Sequence, residues 1–239
     1  MVKNRLQKFM LISLIIILSA CGNKDTHKVP VADETKVSVE KEMTEVEKPH
    51  AQFREGSHYF RLENTTPIVM KKGDKIQVTE MFLYGCPHCY ELDPKLQKWL
   101  KKYDNIDFQR MPAILGPSWA EMAKFYYVAE KLGILDTLHE KFFAEIHSSG
   151  QQYISELAIK HFFMGNGVSE KDYVTAYQDK GVMEKTSQAR ISSVKYKLRG
   201  VPVVIINNKW KIAPYFVKDQ EQMLELLDYL VELEAVGGH

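Results

Sequence analysis

The run Cys86-Pro87-His88-Cys89 stands where a strand-like segment gives way to a helical one, and this junction restricts the fold more than any other part of the chain. Upstream, Lys75 to Tyr84 is apolar and strand-like, with Ile76, Val78, Met81, Phe82 and Leu83, and is entered through the turn Lys72-Gly73-Asp74. Downstream, Pro87 to Tyr103 places Cys89, Leu92, Leu96, Trp99 and Leu100 on one stripe at helical spacing. Ile106 to Met111 reads as a second central strand. Strand, helix and strand at this spacing predict parallel pairing through a right-handed crossover.

The remaining pattern surrounds that unit. His58 to Leu62 reads as a short edge strand. Ser118 to Tyr196 is helical, with one apolar stripe at Trp119, Met122, Ala123 and Tyr126 and another at Leu135, Leu138, Phe142 and Ile146, all read as core. His139, His147 and His161 in this block are read as surface or packed residues without a role. Val203 to Asn207 and Trp210 to Ala213 form a hairpin pattern around Asn207-Asn208. A last amphipathic helix carries Met223, Leu226, Leu227 and Leu230. The order is that of an α/β layer fold with a helical insertion.

The chemistry concentrates at the start of the first helix. Proline is favoured at the first helical position because its missing N–H would be unpaired there, which makes Cys86 the N-cap. The Cys86 sulfur can then accept hydrogen bonds from the free first-turn amides, and the helix dipole favours negative charge at that end. Both effects lower a thiol pKa, and a protonated His88 adds to them. Cys89 falls on the apolar stripe and is expected to be buried and less acidic. Glu80 lies in the strand before, where a buried carboxylate is costly unless paired or protonated; an exposed edge position is the other reading. The two sulfurs are one helical turn apart, and the ring they close is too small to be an effective staple, because closure stabilises more as the loop lengthens. A structural disulfide and a metal site using His88 are the alternatives to a reversible redox pair.

Composition narrows the classes further. With 45% hydrophobic and 11% aromatic residues the chain can bury a core, and with 32 basic and 31 acidic residues it has no charge surplus for nucleic acid. Its three cysteines, Cys21, Cys86 and Cys89, are too few for a disulfide scaffold or a four-cysteine zinc site.

Residues 1–20 carry the marks of an export signal. Lys3, Arg5 and Lys8 precede an apolar run from Phe9 to Leu18, which is too short to span the ~30 Å of a bilayer interior. The end, Leu18-Ser19-Ala20-Cys21, resembles a bacterial lipobox and implies a lipid on Cys21; an ordinary secretory signal containing a cysteine is the alternative. Gly22 to Pro49 has no aromatic residue and mixes Lys, Glu, Asp and Thr with scattered Val, so it is expected to be flexible coil reaching roughly 30 Å, and residues 21–56 to form the lipidated N-terminus and tether. A tail that folds on a partner is the competing reading.

The segment Phe82-Leu83-Tyr84-Gly85-Cys86-Pro87-His88-Cys89-Tyr90 resembles the active-site segment of the DsbA family of periplasmic oxidases. Gly56-Ser57-His58-Tyr59 is similar to that family's entry strand, and Arg199-Gly200-Val201-Pro202 to its cis-proline loop. The Pro-His pair between the cysteines is the most specific element, and the likeness extends from about Gln52 onward. It implies a thioredoxin-like fold over residues 57–239 with an inserted helical domain at about 112–196. It implies catalytic Cys86 and Cys89 tuned by Pro87 and His88. Glu80 becomes a proton carrier for Cys89, and Val201 and Pro202 pair with substrate backbone. The partners implied are reduced exported proteins and a DsbB-like, quinone-linked membrane reoxidant. No cofactor or metal is implied, and a monomer is expected, since no dimerisation domain precedes the active site. A lipid anchor on the periplasmic side of the envelope departs from the soluble members. The rival functions are a reductase or isomerase on the same fold, a metal-handling lipoprotein, and a non-catalytic envelope-binding protein.

Overall fold

A computed structural model describes residues 52–150 and 153–236. The expected signal, Cys21 and the tether up to residue 51 lie outside the described residues. Phe53, placed in the expected tether, is 5% exposed and packs against His58 and Tyr229, so packed structure includes residues ahead of the boundary expected at residue 57.

The elements in chain order are β1 (Phe60–Arg61), β2 (Ile76–Phe82), α1 (Pro87–Leu100), β3 (Ile106–Pro112), α2 (Pro117–Lys131), α3 (Leu135–Ser149), α4 (Glu156–Gly165), α5 (Glu170–Tyr177), α6 (Lys180–Lys195), β4 (Val203–Ile206), β5 (Trp210–Ile212) and α7 (Gln220–Ala235). A short 3-10 turn, Pro214–Phe216, links β5 to α7. The strands form one sheet in the order β1-β5-β4-β2-β3. β2 and β3 pair in parallel through α1 as expected, and the other pairings are antiparallel. β3 is not central: it closes one edge of the sheet and alternates between half-buried and exposed positions. Its sequence, Ile-Asp-Phe-Gln-Arg-Met-Pro, alternates polar and apolar residues as a half-solvated strand does, and the central place belongs to β4, whose Val-Val-Ile-Ile is buried on both faces. Asn207 and Asn208 close the β4–β5 hairpin with φ of 48° and 51°, the left-handed pair that a two-residue turn needs.

Side-chain alternation splits the interior into two clusters. Val78, Val204 and Ile206 point to α1 and α7 and pack with Leu92, Leu96, Trp99, Leu226 and Leu230. Met81, Val203 and Ile205 point the other way, into the helical block, with Phe125, Phe142, Phe143 and Phe163. The helical insertion thus shares a core with the sheet and does not hang from it. Ser155, Ser169, Asp179 and Asp219 cap α4, α5, α6 and α7 by accepting first-turn amides.

Candidate active site

Strand pairing brings the site together. Met81 near the end of β2 lies opposite Val203 at the start of β4, because the two strands are antiparallel. The chain leaving β2 therefore meets the chain entering β4, and Cys86 faces Val201-Pro202. The Val201–Pro202 bond is cis, and the Cys86 thiol donates to the Val201 carbonyl with Sγ 3.6 Å from the oxygen.

Cys86 is the N-cap of α1, with φ −94° and ψ 115° and Pro87 following it, as the sequence requires. Its thiol donates to the Val201 carbonyl, and the first-turn amides of His88 and Cys89 act on the sulfur without closing a side-chain cap. Both thiols are free, so the structure describes the dithiol form. Cys86 is partly exposed and Cys89 fully buried. The Cys86 thiol is lowered to about 6, foremost by the adjacent Cys89 thiol and then by the backbone amides of Cys89 and His88 and the charge of His88, against an opposing effect of burial. Burial and the neighbouring Cys86 push Cys89 well above the ordinary thiol range. The pair is thus split into one acidic, accessible sulfur and one inaccessible sulfur that holds its proton. His88 itself is exposed, 3.7 Å from Glu91, and its carbonyl accepts from Gln220 at the start of α7, which fixes the helix end.

Glu80 is 1% exposed, so the reading of an exposed edge position is wrong. It sits on β2 beneath α1, and burial raises its carboxyl to about 7 in spite of the Arg110 charge. Arg110 Nε stands 3.3 Å from Glu80 Oε2, yet neither atom has a hydrogen-bond partner among the described residues. Arg110 spends its hydrogen bond on Asp93, at 2.6 Å from Nη2. Asp93 in turn lies 3.3 Å from His139 Nε2, and His139 Nδ1 lies 2.7 Å from the Tyr84 hydroxyl. One neutral tautomer serves both contacts: Nε2–H donates to Asp93, and Nδ1 accepts from Tyr84. Burial lowers the His139 pKa and agrees with that neutral form. Asp93 is held below the usual carboxylate range by His139 and Arg110 together, although burial opposes it.

His139 was expected to be a packed or surface residue; it is packed, and it also closes a buried polar chain running from Tyr84 through Asp93 to Arg110, beside Glu80. Arg110, Asp93 and Tyr84 were missed altogether. Asp93 gave a signal, since it follows Cys89 by one helical turn on an otherwise apolar face. Arg110 gave one too, because parallel pairing sets it opposite Glu80. His147, also read as without a role, donates to the Tyr84 carbonyl at 2.9 Å and stacks on Tyr90 at 4.7 Å, which ties α3 to the loop carrying Cys86. His161 joins no part of the site. Among the described residues no group of three or more His, Cys, Asp or Glu side chains is placed to hold a metal ion.

A four-residue cysteine motif opening a helix after a central strand, opposite a cis-proline before an antiparallel strand, defines a thioredoxin-fold dithiol protein. Residues 77–231 match the family model described as the DSBA-like thioredoxin domain, and the chain belongs to that family. It is 29% identical over 185 residues to the thiol:disulfide interchange protein DsbA of Azotobacter vinelandii, spanning 77% of this chain and 86% of that protein. The corresponding protein of Burkholderia cepacia is 30% identical over 178 residues, spanning 74% of this chain and 84% of its own. The crystal structure of Pseudomonas aeruginosa DsbA superposes with a TM-score of 0.69 at 28% identity, covering 77% of this chain and 95% of that one. The chain is a thiol-disulfide oxidoreductase.

Proposed function

We propose that this oxidoreductase introduces disulfide bonds into reduced exported polypeptides, with Cys86 as the attacked and leaving sulfur and Cys89 as its buried partner. The observation that carries the assignment is the asymmetry of the pair: an accessible thiol lowered to about 6 beside an inaccessible one held protonated. In the oxidised enzyme a substrate thiolate attacks Cys86 Sγ, the Cys86–Cys89 bond breaks, and its electron pair leaves on Cys89. Cys89 takes up a proton, which the Glu80 carboxyl supplies from beneath α1. A second substrate thiolate then attacks the substrate sulfur of the mixed disulfide. A disulfide forms in the substrate, and Cys86 departs as a thiolate. Val201 and Pro202 flank the mixed disulfide and pair with the substrate backbone.

The direction of the reaction follows from the Cys86 thiolate. A fall from the ordinary 9 to about 6 stabilises the ionised reduced form by at most about 4 kcal/mol, and by less once solvent screening at this partly exposed sulfur is counted. Stabilising the dithiol makes the disulfide the stronger oxidant, which favours oxidation of substrates over their reduction. A DsbB-like, quinone-linked membrane protein would restore the disulfide. Leu18-Ser19-Ala20-Cys21 supports export and a lipid on Cys21, and with it a site of action on the periplasmic side of a bacterial membrane. No helix among the described residues is long and apolar enough to cross a membrane.

The deciding measurement is the reduction potential of the Cys86–Cys89 couple, with oxidative folding of a reduced test protein as the activity. A potential above that of ordinary structural disulfides, and folding activity lost in Cys86→Ala, are expected. A potential in the range of cytosolic reductants would place the chain among reductases. For the anchor, Cys21→Ser should release an exported, active enzyme from membranes; wild type found wholly in the soluble fraction would remove the lipid.

A further inference from the structure

A second concave site adjoins the cis-proline loop. A cavity of about 250 Å³ lies between β1, the end of α6, β5 and the turn after β5. Its charged lining is Arg61, Lys195, Lys197, Arg199 and Lys211 against the single acid Glu63. Five cations and one carboxylate face one small cavity in a chain whose overall formal charge is only +1. Internal pairing does not absorb the surplus. Glu63 is taken by Lys197, and Arg61 by Glu55 at 3.5 Å. Lys195, Arg199 and Lys211 have no carboxylate partner among the described residues. Lys211 is partly buried, and its ammonium donates to the Tyr196 carbonyl at 3.2 Å. Burial above all, and then the charges of Arg199 and Lys197, pull its pKa below the ordinary lysine value, with Glu63 offsetting only part of this.

The position of this cavity relative to Cys86 gives it a use. Arg199 is two residues before Val201, whose carbonyl is 3.6 Å from Cys86 Sγ. Residues 199–201 bend, so the step from Arg199 to Val201 is at most about 7 Å, and Arg199 lies within reach of about three to four residues of extended peptide from the reacting sulfur. Phe60, Tyr215 and Phe216 form its apolar wall, with Phe60 and Phe216 in ring contact at 4.2 Å. A cavity of this size admits a side chain and not a folded element.

We propose that the cavity formed by Arg199, Lys195 and Lys211 is a specificity subsite that takes an aspartate or glutamate side chain lying within about three to four residues of the reacting cysteine of the substrate. The proposal rests on the oxidase reading for its biological use, but binding at the subsite needs no redox step. A carboxylate there meets several cations in a partly desolvated setting, where an ion pair is worth more than on open surface. A lipid surface would also attract these cations, but it would not depend on the distance between a glutamate and a cysteine.

The test uses the full-length protein and dithiol peptides that differ only at the third residue on each side of the reacting cysteine, carrying Glu, Gln or Lys. The Glu peptide should be oxidised about fivefold faster than the Gln peptide at low salt, and the Lys peptide slower than both. The preference should shrink as salt approaches the concentration at which screening acts over roughly 10 Å, and should largely vanish in Arg199→Gln/Lys211→Gln. Equal rates for the three peptides, a preference untouched by the double substitution, or the same preference with the glutamates moved six residues away, would overturn the subsite. Serine-for-cysteine versions of the peptides separate this from the oxidase reading. The Glu version should shift the Tyr196, Lys211 and Phe216 amide resonances saturably and the Lys version should not. Absence of those shifts sinks the subsite even if oxidation proceeds. Their presence without oxidation of any peptide leaves the subsite standing and removes the oxidase.

Discussion

Glu80 and Arg110 occupy the same register position on the parallel strands β2 and β3, with 3.3 Å between Arg110 Nε and Glu80 Oε2 and no hydrogen bond joining them. The guanidinium is turned toward Asp93, so Arg110 acts on Glu80 chiefly through its charge. That arrangement leaves the carboxyl free to protonate near neutral pH, as a proton donor to Cys89 requires.

Glu80 should leave a pH signature on stability. Its carboxyl is at about 7 when folded against 4.5 for the free group. A carboxyl raised on folding binds its proton more tightly in the native state. Its contribution is full below pH 4.5 and is lost as the pH rises through 7, on the order of 3 kcal/mol. Denaturant midpoints of the reduced wild type should therefore fall relative to reduced Glu80→Gln across pH 4.5 to 7. Parallel curves for the two proteins would show that Glu80 does not titrate in this window. Glu80→Gln should also slow oxidation of a peptide substrate several-fold at neutral pH without changing peptide affinity.

Cys86 gives the opposite sign in the reduced protein. Its pKa is about 6 folded and 9 unfolded, so the dithiol form gains stability above pH 6, at roughly 1.4 kcal/mol per pH unit, until the unfolded thiol also ionises near 9. Reduced protein should unfold at higher denaturant than oxidised protein at pH 8, with the gap closing as the pH drops toward 6. His88→Leu removes one cause of the lowered pKa and should shift thiolate absorbance to higher pH. A thiolate titration unchanged by that substitution would assign the effect wholly to Cys89 and the backbone amides.

The Tyr84–His139–Asp93 chain predicts a coupling. His139 is 5% exposed and supplies partners to both neighbours, so His139→Phe keeps the bulk but leaves the Tyr84 hydroxyl and one Asp93 contact unpaired. The cost should be about 2–3 kcal/mol. Tyr84→Phe removes the stranded hydroxyl, so the double variant should lose about 1 kcal/mol less than the sum of the single losses. Strict additivity in denaturant unfolding would dissolve the chain into separate contacts.

The contrast between the cysteine pair and this polar chain shows which features a sequence exposes. Cys86, Pro87 and Cys89 were legible because capping and helical phase act over a few residues. Pro202 became legible through its resemblance to a known loop. Asp93 meets His139 and Arg110 only through α3 and β3, elements whose placement no local pattern states, and so the buried chain was invisible. The place of β3 at the sheet edge failed for the same reason. Its alternation described a half-exposed strand, but nothing in it said that β4, almost a hundred residues later, would take the other side of β2. Phe53 was lost to its neighbours: a single aromatic in polar sequence reads as tether until Tyr229 is seen beside it.

The order of attack follows from which sulfur substrate can reach. Cys89 lies on the buried stripe of α1 with Leu92, Leu96 and Trp99, while Cys86 is partly exposed beside Val201. Substrate sulfur should therefore bond to Cys86 alone. Cys89 is the group that can attack the mixed disulfide in reverse and release a substrate that fails to complete its own bond. Replacing it removes this escape while leaving the acceptor in place. Cys89→Ala, allowed to react in the envelope and quenched with acid, should accumulate mixed disulfides at least about tenfold over Cys86→Ala, a margin equal to roughly 1.4 kcal/mol in the trapping equilibrium. Mass spectrometry of the linked peptides should find the bond on the fragment that carries Cys86. Pro202→Thr should prolong these complexes in an otherwise wild-type enzyme, because Pro202 borders the sulfur that the second thiolate must approach. Links found mainly on Cys89 would reverse the roles of the two cysteines, and the buried position of Cys89 could not then describe the reacting state.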